Sequence, residues 1–123
     1  MTWYAAHVIL SIHPKKKGVP ITLHENIILI EAKDAESAKK IAENIGGKSV
    51  AGYAGLEIDG VSTICNFEGV RKIINVSNPF PLDQDEDRPV SGTEITYTEF
   101  QARDSKDVKE FIRGMEVSLK YIE

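Results

Sequence analysis

Alternation of apolar and polar positions marks the first element. Across residues 3–14, Tyr4, Ala6, Val8, Leu10 and Ile12 occupy every second position, the period of a strand with one buried side. Residues 14–20 are polar and include Gly18, which predicts a turn or short loop. Residues 21–32 follow as a second strand. Its Ile27-Ile28-Leu29-Ile30 run is apolar on both faces, the pattern of a central strand rather than an edge. Together the two read as a β-hairpin. Asp34 then stands at an N-cap position, and Ala35, Ala38, Ile41, Ala42 and Ile45 recur at helical spacing until Gly46-Gly47 supplies a stop. Residues 48–55 are small and glycine-rich and predict a loop.

Leu56-Glu57-Ile58, Asp59-Gly60 and residues 61–67 predict a tight hairpin, because Asp-Gly tolerates the positive φ of a type I′ turn. Gly69 interrupts a strand pattern that resumes at Val70 and runs to Val76, so it predicts a bulge. Residues 78–92 hold three of the five prolines and four acidic residues, the composition of an exposed loop within one domain. Residues 93–102 form a strand whose apolar phase shifts between Tyr97 and Phe100. Asp104 or Ser105 caps a short helix carrying Val108, Phe111 and Ile112, and Gly114 ends it. Met115, Val117, Leu119 and Tyr121 then alternate with Glu116, Ser118 and Lys120, a closing strand with one wet face.

An internal echo runs through this order. Glu31-Ala32-Lys33-Asp34 leads into Ala38, Lys39 and Ile41. Gln101-Ala102-Arg103-Asp104 leads in the same way into Val108, Lys109 and Phe111. Two related halves would produce this, and so would convergence on an Asp-capped helix after a strand.

Composition adds exclusions. A chain of 123 residues with 41% hydrophobic and 28% charged residues is ordinary for one globular domain, here residues 1–123. The net charge of −4 argues against nucleic acid as a partner, since phosphate binding needs clustered cations. The one basic run, Lys15-Lys16-Lys17, lacks aromatic neighbours and reads as a solvated turn. The single cysteine, Cys65, excludes an intrachain disulfide and a thiolate zinc site, and its apolar surroundings suit an inert thiol. No signal peptide and no membrane span is indicated, so the expected location is cytoplasmic.

Candidate chemistry is sparse. Asp83, Asp85, Asp87, Ser91 and Glu94 fit five ligand positions of a calcium loop. However, Arg88 stands where glycine is needed, Pro89 follows, and a strand pattern replaces the exiting helix. A solvated acidic loop accounts for the same residues. His7 and His13 share one face of the first strand. His24 joins His13 as a diagonal neighbour only if Pro14 lies opposite Ile21, and a metal would still need a third ligand. Surface histidines near a turn are the simpler reading. Cys65 with a histidine would need a nucleophile–base arrangement that no local pattern supports. The glycines at 46, 47, 52 and 55 lack a phosphate-loop ending and follow a helix instead of preceding one. Trp3 points to the face opposite Tyr4, together with Ala5, His7 and Ile9. That mixed face is covered either by a helix of the same chain or by another subunit, which makes Trp3 the interface candidate.

Trp3-Tyr4-Ala5-Ala6 opening a strand, residues 28–32 running into a helix with Ala38, Phe67-x-Gly69-Val70 and Gly92-x-Glu94-Ile95 give a resemblance. Over roughly residues 3–97 the chain resembles a family of short bacterial proteins known only as a domain of unknown function, whose members open with Trp-Tyr. The resemblance implies no activity, cofactor or site residue. The fold expected is α+β: a mainly antiparallel sheet of about five strands with two helices on one face, in the order β-β-α-β-β-α-β, with a ferredoxin-like arrangement as the alternative. The function expected is a non-enzymatic interaction module or small accessory protein, with a protein partner or self-association as a homodimer. The alternative is a small-molecule-binding protein or minor enzyme, with its pocket between sheet and helices. No cofactor, catalytic residue or metal is assigned.

Overall fold

The computed structural model describes residues 1–18, 20–77 and 88–122. Strands β1 (Thr2–Pro14) and β2 (Thr22–Ala32) form the expected hairpin, and helix α1 (Ala35–Ser49) follows. A 3₁₀ turn, Val50–Tyr53, leads to β3 (Glu57–Ile58) and β4 (Val61–Asn75). The chain closes with β5 (Glu99–Gln101), α2 (Ser105–Ile112) and β6 (Lys120–Ile122). The architecture is α+β: an antiparallel four-stranded sheet in the order β2-β1-β4-β3, a second sheet of β5 and β6, and two helices. Among the described residues, no helix is long and apolar enough to cross a membrane.

The strand expected to be central is the edge. Of the two hairpin strands, β1 lies between β2 and β4 and is buried on both sides, whereas β2 has one neighbour among the described residues. The apolar run of β2 therefore divides its duty. Ile30 and Ala32 enter the core, while Leu23, Ile27 and Leu29 on the other face remain exposed.

Even-numbered residues of β1 meet α1. Tyr4, Ala6 and Val8 pack with Ile30 and Ala32 of β2 and with Ala38 and Ala42 of α1, and Phe67, Val70 and Ile73 of β4 close the cluster. The helix begins where expected. Asp34 has extended φ of −156°, and its side chain accepts the Ser37 N–H at 2.7 Å. It does not stop at Gly46-Gly47 but continues to Ser49. Gly46 serves packing: a Cβ there would lie 2.5 Å from Phe67 Cε1 and 2.9 Å from Val8 Cγ1. Small residues at 38, 42 and 46 thus bring the helix close to the sheet, while Ile41 and Ile45 flank the contact and stay exposed.

The Asp59-Gly60 hairpin forms, with φ of 52° and 77° at its two central residues. The irregularity expected at Gly69 is double. The β1–β4 register skips Glu68 and again Arg71, so β4 carries an extra residue on either side of Gly69. The two expected strand segments around this glycine are one strand.

The C-terminal segment holds less ladder than its alternation predicts. Between 93 and 102, the paired backbone is the isolated Ser77–Glu94 bridge and the three residues of β5, and β6 starts only at Lys120. Asp104 caps α2, accepting the Asp107 N–H at 2.9 Å. Phe111 of α2 and Tyr121 of β6 each meet Phe100 of β5 at 5.9 Å between ring centres. The internal echo is confined to these two Asp caps, because β5 pairs with β6 whereas β2 pairs with β1.

The adjacent glycines of α1 give opposite expectations. Gly46→Ala overpacks Phe67 and Val8 at a cost of about 1–3 kcal/mol, which outweighs the gain in helix propensity. Gly47→Ala meets nothing within 4 Å and stabilises by about 0.5–1 kcal/mol. Urea unfolding of the two variants distinguishes these signs.

Candidate functional site

The odd-numbered face of β1 carries the one large polar side chain that, among the described residues, the fold encloses completely. His7 is 0% exposed. An imidazole has two ring nitrogens, and burying either without a partner would cost about 1–3 kcal/mol. Both are engaged: Nδ1 lies 2.8 Å from Glu25 Oε1 on β2, and Nε2 lies 2.7 Å from Thr96 Oγ1. The second Glu25 oxygen accepts from Arg71 Nε at 2.8 Å. Arg71 in turn sits over the Tyr121 ring, 4.8 Å from its centre, and donates to the Tyr121 hydroxyl. Beside it, Lys72 donates to the Tyr97 carbonyl at 3.3 Å and lies 5.1 Å from that ring's centre. One polar chain thus ties β1, β2 and β4 to Thr96, Tyr97 and β6.

Each position has a local cause. Glu25 lies opposite Ile9 in the β1–β2 ladder, two pairs along from His7 and Ile27, so the Glu25 and His7 side chains share the odd face. Arg71 is the extra residue of a β4 bulge, which re-aims it toward that face. Hydrogen bonding from Arg71, and secondarily from His7, holds the Glu25 carboxyl below its usual 4.5, against the opposing effect of burial.

With Nδ1–H donating to Glu25, the Nε2 of His7 accepts the Thr96 hydroxyl proton. This is the connectivity of an acid, an imidazole base and an alcohol. Thr96 also lines a cavity of about 200 Å³ with Ile74, Asn75, Ser77, Glu94 and Tyr97. The same bonds equally satisfy a buried ring that clamps one segment over another.

The sequence-derived candidates are dispersed. Asp83, Asp85 and Asp87 lie outside the described residues. Ser91 is in an exposed turn, and Glu94 bridges to Ser77 and lines the cavity. The β1–β2 register places Leu10 opposite His24, one residue away from the alignment, Pro14 opposite Ile21, that would make His13 and His24 diagonal neighbours. The two histidines therefore project from opposite faces, and His24 meets Tyr53, whose hydroxyl is 3.3 Å from Nδ1. Among the described residues no group of three His, Cys, Asp or Glu side chains could hold a metal ion. Cys65 is a half-buried free thiol opposite Ile12. Trp3 is half-buried, and its indole Nε1 is enclosed without a hydrogen-bond partner among the described residues.

Sequence reasoning passed over Glu25, Arg71, Thr96 and Tyr121. Glu25 left a readable trace, a carboxylate within the otherwise apolar row Leu23, Ile27 and Leu29. Arg71 left none, because its direction depends on the bulge.

The acid side of the stability curve reports on this network. Above about pH 4.5 Glu25 is ionised in both folded and unfolded chains, and its full contribution is present. As the pH falls through the lowered folded-state value, the unfolded chain takes up the proton first and that stability is lost. Asp34, lowered by the Ser37 N–H, adds to the loss below about pH 3.8. Urea unfolding between about pH 3 and pH 6 is therefore expected to show a shallower slope for Glu25→Gln than for the wild type, with the Asp34 share remaining.

Residues 3–87 match the model of a protein family described as Domain of unknown function (DUF4288). No curated protein matches the chain, and no solved structure does.

Proposed function

The chain belongs to that family of undefined function, and we propose that it is a protein-interaction module that receives its partner by strand addition at the outer edge of β2, which has no strand neighbour among the described residues. The carrying observation is the character of that edge. It is eleven residues long and contains no Lys, Arg or Pro, the residues that usually protect an exposed strand from pairing. It also presents Leu23 at 66% exposure and Ile27 and Leu29 at 44% each.

This reading treats residues 1–123 as one cytoplasmic domain and needs no cofactor. The His7 network supports the first point, since it ties the C-terminal segment to the sheet. Alternate amides of β2 point away from β1. Hydrogen exchange is expected to slow at those amides only when the edge is occupied, while amides bonded to β1 are slow throughout. Outward amides that exchange freely at every protein concentration and in host extract would remove the reading.

A second reading, a small-molecule-binding protein or minor enzyme, rests on the Glu25–His7–Thr96 chain beside the cavity. A fluorophosphonate that labels activated hydroxyls separates the two. The interaction reading expects no label on Thr96, whereas labelling lost in His7→Asn would favour hydrolytic chemistry there.

A further inference from the structure

We infer that residues 93–122 form a strap that opens from the sheet while the sheet stays folded, and that Thr96 is its latch, capping Nε2 of His7 until the strap lifts. Opening requires nothing at the outer edge of β2 and is independent of strand addition there.

The strap has little hold on the apolar core. None of its residues belongs to the cluster that joins β1, β2, β4 and α1. Among the described residues its one buried side chain is Asp107, and Arg103 of the same stretch lies 3.4 Å from that carboxylate. Its ring contacts are internal, since Phe100 meets Phe111 and Tyr121. Ile95 and Tyr97, the neighbours of the latch, are 41% and 53% exposed. Lifting the strap therefore uncovers little apolar surface, whereas unfolding the sheet uncovers the whole core. A segment held in this way opens at a free energy below that of global unfolding.

The seam is polar and loosely filled. The Thr96 hydroxyl bonds His7 Nε2, Lys72 bonds the Tyr97 carbonyl, Arg71 bonds the Tyr121 hydroxyl, and Ser77 and Glu94 form an isolated backbone bridge. Water replaces each of these partners once the strap lifts, so each contributes only a small net free energy. Between the strap and the end of β4 lies a cavity of about 200 Å³, where close packing would otherwise oppose separation. Glu25 lies on β2 and keeps its bond to Nδ1 when the strap leaves, so the ring stays oriented. Nε2 then exchanges the Thr96 hydroxyl for a hydrogen-bond donor from outside the chain. The closed strap thus withholds an imidazole nitrogen that a carboxylate has already aligned.

The experiment treats the full chain with diethyl pyrocarbonate, which acylates an accessible, unprotonated imidazole nitrogen, and maps the modified histidines by mass spectrometry. Exposed His24 is expected to react fast and to serve as the internal standard. His7 should react slowly, at a rate almost independent of urea below the unfolding transition, while the most protected β1 amides, followed by hydrogen exchange, respond steeply to urea. Gly46→Ala, which weakens the packing of α1 on the sheet, should speed exchange of those amides and leave the His7 rate unchanged. Thr96→Val should raise the His7 rate at least about fivefold, because the closed state then leaves Nε2 unpaired. Thr96→Ser, which restores the hydroxyl, should return the rate toward that of the wild type. A His7 rate that tracks the β1 amides in urea and in Gly46→Ala overturns the strap, since the ring is then reached only by global unfolding. A His7 as reactive as His24 overturns it too, because no closed state is then populated. A Thr96→Val rate equal to that of the wild type overturns Thr96 as the latch. The urea series needs no variant and decides the matter even where a substitution prevents folding.

Discussion

The central constraint on this molecule is a histidine in the middle of its most buried strand. An imidazole can be enclosed only if both ring nitrogens find partners. His7 obtains one from β2 and the other from a segment far along the chain. Glu25 must then lie on the odd face of the hairpin, and Thr96 must be brought down onto that face. Arg71 completes the arrangement by holding the second carboxylate oxygen. Consequently the odd side of β1 is closed by a polar clamp, while the even side is closed by apolar packing.

The two sides follow different physics. On the even side, Ala38, Ala42 and Gly46 let α1 approach until Phe67 and Val8 fill the space that a larger residue would occupy. Such packing tolerates little change in volume. On the odd side, named hydrogen bonds and two cation–ring contacts hold the C-terminal segment, so little regular ladder is required there. This explains why a stretch with strand-like alternation is mostly irregular: side chains, not a backbone ladder, fix Thr96 and Tyr97.

Among the described residues, no strand pairs with the outer edge of β2, and its row of leucine and isoleucine side chains stays partly exposed. A largely apolar strand at a sheet edge, without the lysines, arginines or prolines that discourage pairing, is costly for a protein to keep bare. The C-terminal unit shows a related feature, since Phe111 and Ile112 of α2 are 50% and 78% exposed. Exposed apolar surface of this kind suits a protein that completes itself by contact better than one that encloses a reaction.

The amino-acid sequence by itself determined whatever depends on neighbours within one turn or one strand. The β1–β2 hairpin, the Asp34 and Asp104 caps, the positive-φ turn at Asp59-Gly60 and the irregularity at Gly69 all follow from local periodicity and backbone preference. Tertiary structure decided which strand is central, because apolarity on both faces of β2 does not say whether the cover comes from the same chain. It also decided the single-residue register that sends His24 away from His13, and the double bulge that turns Arg71 toward Glu25. Thr96, 89 residues from His7 in the chain, joins the site only when the C-terminal segment folds over the sheet. Long-range partners leave no periodic trace in a sequence, so the clamp appears only when the chain closes on itself.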